Sequence, residues 1–321
     1  MRLALLTFAL AVAGLPADST GGRVAAPASG FLFDSVTGAI RTISGTPGAA
    51  FFSGPLDPGS VANALISPQQ DYFLALKGDR RQVVLGRSLL QSTPIPGVAD
   101  APDSWVLSPK GSAAALSYNG SNTILIVTGL PLSPVITAEY DSSQFTGSVR
   151  LLALSEDAAR LLIVTSAEGG ASLTMLGDAG TPTPLGQAGA AVSAQFLGTR
   201  EAAVADPLRN EVFLIRESAG GTSRIPIASA ADGIAAPAAI AASADGRRVW
   251  VANTGSQSVI SIDLESHLLH SLACSLSPNA LARMGPGAYF RLTDFTQSSI
   301  LVLDDSKAQP RILMIPEEPA Q

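Results

Sequence analysis

Residues 238–272 read AAIAASADGRRVWVANTGSQSVISIDLESHLLHSL. A short apolar run meets the turn Ser243-Ala-Asp-Gly246. A strand ending at Asn253, a polar hairpin and a second strand ending at Asp263 follow. The same order recurs roughly every 40–47 residues from about residue 61 onward. The frame is ungapped into the last copy, where NTGSQSVISID (253–263) falls on DFTQSSILVLD (294–304) at a constant shift of 41. DPLRNEVFLIR (206–216) fits it as well. The apolar runs are only about four to seven residues long and are divided by turn formers, too short for ordinary helices. A repeat of this period, built from four short strands, is the signature of a β-propeller blade.

Six copies follow this pattern, with first strands at 61–67, 104–108, 149–155, 191–197, 236–243 and 278–284. Ahead of them, FLFDSVTGAIRTI (31–43) matches the second half of a blade, with Phe33-Asp34 placed on Ile262-Asp263 and Leu303-Asp304. The chain is therefore expected to be all-β, a single propeller over residues 30–316 with seven blades and a reduced first one. Six blades plus an N-terminal hairpin is the alternative. Ser67-Pro68, Ser108-Pro109 and Ser243-Ala-Asp-Gly246 form the turns between first and second strands, where Pro and Gly preset the backbone.

The run SADGRRVWVAN followed by TGSQSVISID (243–263) resembles the repeat of YVTN-type propellers and the wider lactonase-like, NHL-like and WD40-like group. The resemblance implies the fold over residues 30–316. It does not select a function, because this architecture hosts enzymes, adhesins and scaffolds alike.

Charged residues make up 14% of the 321, well below the usual share of about 25%, so the chain can bury a large core. A net charge of −6 without a basic cluster argues against nucleic-acid or anionic-lipid binding. Met1-Arg2 followed by an uncharged apolar run to Leu15 reads as a signal peptide, residues 1–17, cleaved after Ala13 or Ala17. Residues 18–29 read as a flexible lead-in and 317–321 as a C-terminal tail. A periplasmic or secreted protein is expected, with no membrane span in the mature chain. The single cysteine, Cys274, cannot form an intrachain disulfide.

Catalytic signatures are absent from the sequence. The two histidines, His267 and His270, share one outer hairpin, where strand geometry does not converge them on a metal. No Gly-x-Ser-x-Gly and no phosphate-binding loop occurs. Trp105 and Trp250 read as blade packing rather than cofactor docking. Polar residues at the channel-facing loops, Lys77, Asn119, Asp206, Asn253 and Asp294, are the candidate ligand-binding set. Asp206, Asn253 and Asp294 share one repeat position, and turn capping is the alternative role for each. The sequence thus reads as an exported, noncatalytic propeller, monomeric, without cofactor or metal, that binds a protein, peptide or glycan. A lactonase-like extracytoplasmic hydrolase and a structural part of an envelope assembly are the alternatives.

Overall fold

The computed structural model describes residues 28–45, 49–55, 59–77, 82–88, 91–98, 100–177, 180–219, 221–243, 245–295 and 299–316. The signal peptide, residues 18–27 of the lead-in and the tail lie outside the described residues. Among the described residues the strands form seven antiparallel sheets, six of four strands and one of three. This is a seven-bladed β-propeller with a reduced first blade. Blade 1 comprises β1 (Ala28–Asp34), β2 (Ala39–Ser44) and β3 (Phe51–Phe52). Blade 2 opens with β4 (Val61–Ile66) and β5 (Phe73–Lys77). Blades 3 to 7 occupy residues 104–141, 149–188, 193–228, 237–273 and 282–316, each a meander of inner, second, third and outer strands.

The strand patterns follow from position in the ring. Second and third strands lie between neighbouring blades and are covered on both faces, so they read as continuous apolar runs. Val249, Trp250, Val251 and Ala252 in blade 6 are all fully buried. Outer strands have one face in solvent, and residues 135–141 alternate strictly between exposed and half-buried. The turns from inner to second strand of blades 2, 3, 4 and 6 close in the same way. The amides of Gln70, Gly111, Ala158 and Gly246 donate to the carbonyls of Ser67, Ser108, Ser155 and Ser243 at 2.8–3.1 Å. All four residues have positive φ, between 57° and 78°.

The register of blade 1 differs from the sequence alignment. The loop after β1 meets the start of β4, with the Gly59 amide donating to Thr37 O (2.7 Å) and the Val61 amide to Gly38 O (3.0 Å). In complete blades it is the loop after the second strand that reaches the next blade's inner strand. Asn119 Oδ1 accepts from the Val149 amide (3.0 Å) and Asn210 Oδ1 from the Ala236 amide (2.7 Å). β1 is therefore a second strand, β2 a third and β3 an outer strand; among the described residues blade 1 has no innermost strand. Asp34 corresponds to Asp206 and Asn253, not to Asp263 and Asp304. The alignment erred because an Asp opening a turn ends both kinds of strand: Asp34 Oδ1 accepts from the Val36 and Thr37 amides, and Asp263 Oδ1 from those of Glu265 and Ser266.

Packing between blades is apolar, with one buried cluster per interface, and is fastened by polar links on the turn face. Tyr72 donates its hydroxyl to Gly111 O (2.6 Å), Arg160 pairs with Glu217, and Arg248 pairs with Asp305 (2.9 Å). Among the described residues no helix is long and apolar enough to cross a membrane.

Candidate functional site

The five sequence candidates lie on one face of the ring, at the ends of second strands or just beyond them. Among the described residues, no hydrogen bond or ion pair joins any two. Asp206 is fully buried and accepts from four amides: Gly189 (2.6 Å), Ala190 (3.0 Å), Leu208 (3.1 Å) and Arg209 (3.3 Å). It welds the entry of its own blade to the following hairpin. Asn253, also fully buried, accepts from the Ala235 amide (3.1 Å), and its Nδ2 has no protein partner. Asn119 clamps Val149 of the next blade, accepting from its amide and donating to its carbonyl (3.3 Å). Lys77 ends β5 half-buried, with no carboxylate partner among the described residues.

Asp294 behaves differently from its counterparts. Its side chain is 54% exposed and pairs with Arg291 Nη1 (2.8 Å), while Asn279 Nδ2 donates to its other oxygen (3.1 Å). A second strand normally packs against the inner strand of the next blade, and among the described residues blade 7 has no such neighbour. Its second strand is correspondingly short, spanning only Tyr289–Arg291.

Among the described residues a cleft of about 370 Å³ opens between β4, β1 and the inner strand of blade 7, Ala282–Arg283. It runs from Ser35 and Asp294 on the loop face to Gln70 and Met284 on the turn face. Arg283 and Arg291 line it together with Asn63. The Arg283 guanidinium reaches only carbonyls, of Gly285 (3.3 Å) and Pro286 (3.5 Å). An apolar hollow of about 400 Å³ adjoins it, sharing Ile43, Gln70 and Met284. At the floor of the cleft, Gln70 Oε1 accepts from the Phe31 amide (2.6 Å) and its Nε2 donates to Arg283 O (3.5 Å).

Sequence reading did not single out Gln70, Arg283 or Arg291. A signal for Gln70 was available: it stands fourth in Ser67-Pro-Gln-Gln70, where the sister turns carry Gly111 and Gly246. Outside the cleft, several titratable groups are tied up in the scaffold. Asp34 is fully buried beside Arg41 (2.8 Å). Burial alone would raise its pKa, but the Thr37 hydroxyl and amide, Arg41 and the Val36 amide outweigh that and hold it below its ordinary value. Burial pushes Asp305 upward, against the pull of Arg248 and of the Trp250 indole N–H (3.1 Å). Burial also raises the Cys274 thiol. His267 and His270 are exposed on the rim. No group of three or more His, Cys, Asp or Glu side chains fit to hold a metal occurs among the described residues.

No protein-family model matches the sequence, and a search of curated proteins finds no relative. Solved structures do match. A protein from Lactobacillus plantarum aligns with a TM-score of 0.61 at 12% identity, over 90% of this chain and 95% of that one. A protein of Bacteroides fragilis, provisionally described as a 6-phosphogluconolactonase, aligns at 0.57 and 13% identity, over 90% and 94%. PorZ, a surface component of the type-IX secretion system of Porphyromonas gingivalis, aligns at 0.59 and 12% identity, over 92% of this chain and 39% of its own. At these identities the shared property is the fold.

Proposed function

We propose that the chain is an exported, noncatalytic binding module of the YVTN-type propeller group, which takes a protein, peptide or glycan partner at the cleft between blades 7 and 2. One observation carries this reading. The candidate carboxylate and amide on the loop face, Asp206 and Asn253, are fully buried and hold backbone amides of the scaffold, whereas Arg283, Arg291 and Asp294 line an open cleft. A hydrolase needs a general acid or base poised over a bound substrate. The one carboxylate lining this cleft, Asp294, is held by Arg291 and Asn279. A rigid ring with one irregular opening suits recognition. The same fold serves a secretion-system surface component and a protein provisionally described as a lactonase, so the fold leaves both classes open.

The test uses the purified exported protein, monomeric in this reading, as bait in its own envelope extract and on a glycan array, beside Arg283→Glu. Saturable capture that the substitution weakens at least tenfold is expected. Turnover of a lactone and ester panel, with capture unaffected by the substitution, would replace this reading with the hydrolase one.

A further inference from the structure

We infer that the cleft receives an extended segment of a partner polypeptide, which adds to β1 as the inner strand that blade 1 lacks among the described residues. This rests on the binding-module reading and gives the ligand its chemistry. Among the described residues β1 is a terminal strand of its sheet, paired with β2 alone. Phe31 stands opposite Thr42, whose amide and carbonyl turn the other way, toward Ser53 (Ser53 amide to Thr42 O, 2.9 Å). Phe31 and, by alternation, Phe33 therefore present their N–H and C=O groups to the cleft. Such an edge is a template for another strand.

The protein already places one amide there. The Gln70 carboxamide bridges the Phe31 amide and the Arg283 carbonyl, standing where a peptide group of an inner strand would stand. Gln70 does this from φ 63°, a left-handed position that disfavours a non-glycine residue. Gly30 admits it, because a Cβ on Gly30 would lie 2.5 Å from Gln70 Oε1. Above Gln70 no strand among the described residues pairs with this edge of β1. The cleft extends from this floor to Ser35 and Asp294, the two faces that the four-residue inner strands Ser104–Leu107 and Ser193–Phe196 connect in their own blades.

Charge selects among segments. Two guanidinium groups, Arg283 and Arg291, and one carboxylate, Asp294, line the cleft, and Arg283 has no carboxylate partner among the described residues. An acidic side chain on the incoming strand complements Arg283. The chain's own residues 18–27, DSTGGRVAAP, suit the role poorly. With cleavage after Ala17, a turn into β1 comparable to that of blade 6, residues 243–247, would leave only DSTGG, without an apolar side chain. Inner strands such as VANALI (61–66) carry several.

The experiment pans a displayed library of random octapeptides on the purified exported protein and measures the enriched peptides by fluorescence anisotropy. Acidic, otherwise apolar peptides are expected to emerge. N-methylation of the alternate amides that face β1 is expected to weaken binding at least tenfold. Methylation of the intervening amides, which face the channel, is expected to leave it within threefold. Failure of any peptide to enrich, or equal tolerance of methylation in both registers, overturns strand addition. In either case, capture of an envelope or glycan partner that Arg283→Glu still weakens would leave the binding-module reading in place.

Discussion

Asp34 shows how a polar residue at the end of a second strand can belong wholly to the scaffold. Its carboxylate accepts from the Val36 and Thr37 amides, the Thr37 hydroxyl (2.6 Å) and Arg41 Nε (2.8 Å). Arg41 in turn lies over Phe295 of blade 7, 4.3 Å from the ring centroid, and donates to Ser53 O. A carboxyl held below its ordinary value of 3.8 contributes stability that is present above that pH and is lost as pH falls through the folded value. Asp157, Asp245 and Asp304 are lowered as well, whereas Asp305, raised by burial, acts in the opposite sense. Unfolding free energy from urea titrations is expected to be nearly flat from pH 5 to 8 and to fall below about pH 4. In Asp34→Asn the fall should be shallower, from a lower plateau.

Asp206 makes the same point for a residue the sequence offered as a ligand contact. Asp206→Ala leaves four amides without their acceptor, two of them at the blade entry. A loss of about 3 kcal/mol is expected in denaturant unfolding, with Asp206→Asn losing roughly half as much. Asp294→Ala, at an exposed counterpart, should cost less than about 1 kcal/mol. Joint replacement of Asp206, Asn253 and Asp294 by Ala is therefore expected to destabilise the fold through the two buried positions.

At the scale of elements, the turn from inner to second strand is the most regular feature of the chain. Two of its four copies carry a non-glycine residue in the left-handed position, Gln70 and Ala158. Ala158 makes no compensating side-chain bond, so Ala158→Gly should raise stability by about 1 kcal/mol, read as a shift in urea midpoint. Gln70→Gly should gain less, because it also removes the bond to Phe31.

These turns and the strand frame were readable because backbone geometry dictates residue type: Ser-Pro and Asp-Gly mark reversals whatever surrounds them. The shift of 41 between the last two copies reproduces the observed third strands, Ser258–Asp263 and Ser299–Asp304. Blade 1 was legible as reduced, but which strand it lacked was not. Second and third strands both end in turn-forming Asp residues, and only long-range contacts such as Gly59 with Thr37 tell them apart. The candidate site was less legible still. Repeat symmetry pointed to Asp206, Asn253 and Asp294 as one set. The cleft lies where that symmetry breaks, and Asp294 is exposed where no neighbouring inner strand occurs among the described residues.

At the scale of the molecule, the described ring closes without exchanging strands between its ends. Blade 7 touches blade 2 directly across the gap, through the Gly285 amide on Pro68 O (2.8 Å) and through Gln70. Outer strands complete the contact, as Arg311–Pro316 of blade 7 packs on β3. The seam is thus held at its floor and rim and left open along the channel. Every complete blade has its second strand covered on both edges, and blade 1 has it covered on one.

Single-residue amide hydrogen exchange in the free protein tests this most directly, comparing Phe33 with Val251, which lies on a second strand covered on both edges. The account predicts that Phe33 exchanges at least a hundredfold faster, because no strand accepts from its N–H. Equal protection of the two amides would mean that an inner strand already covers β1, and would contradict both the open cleft and the ligand assigned to it.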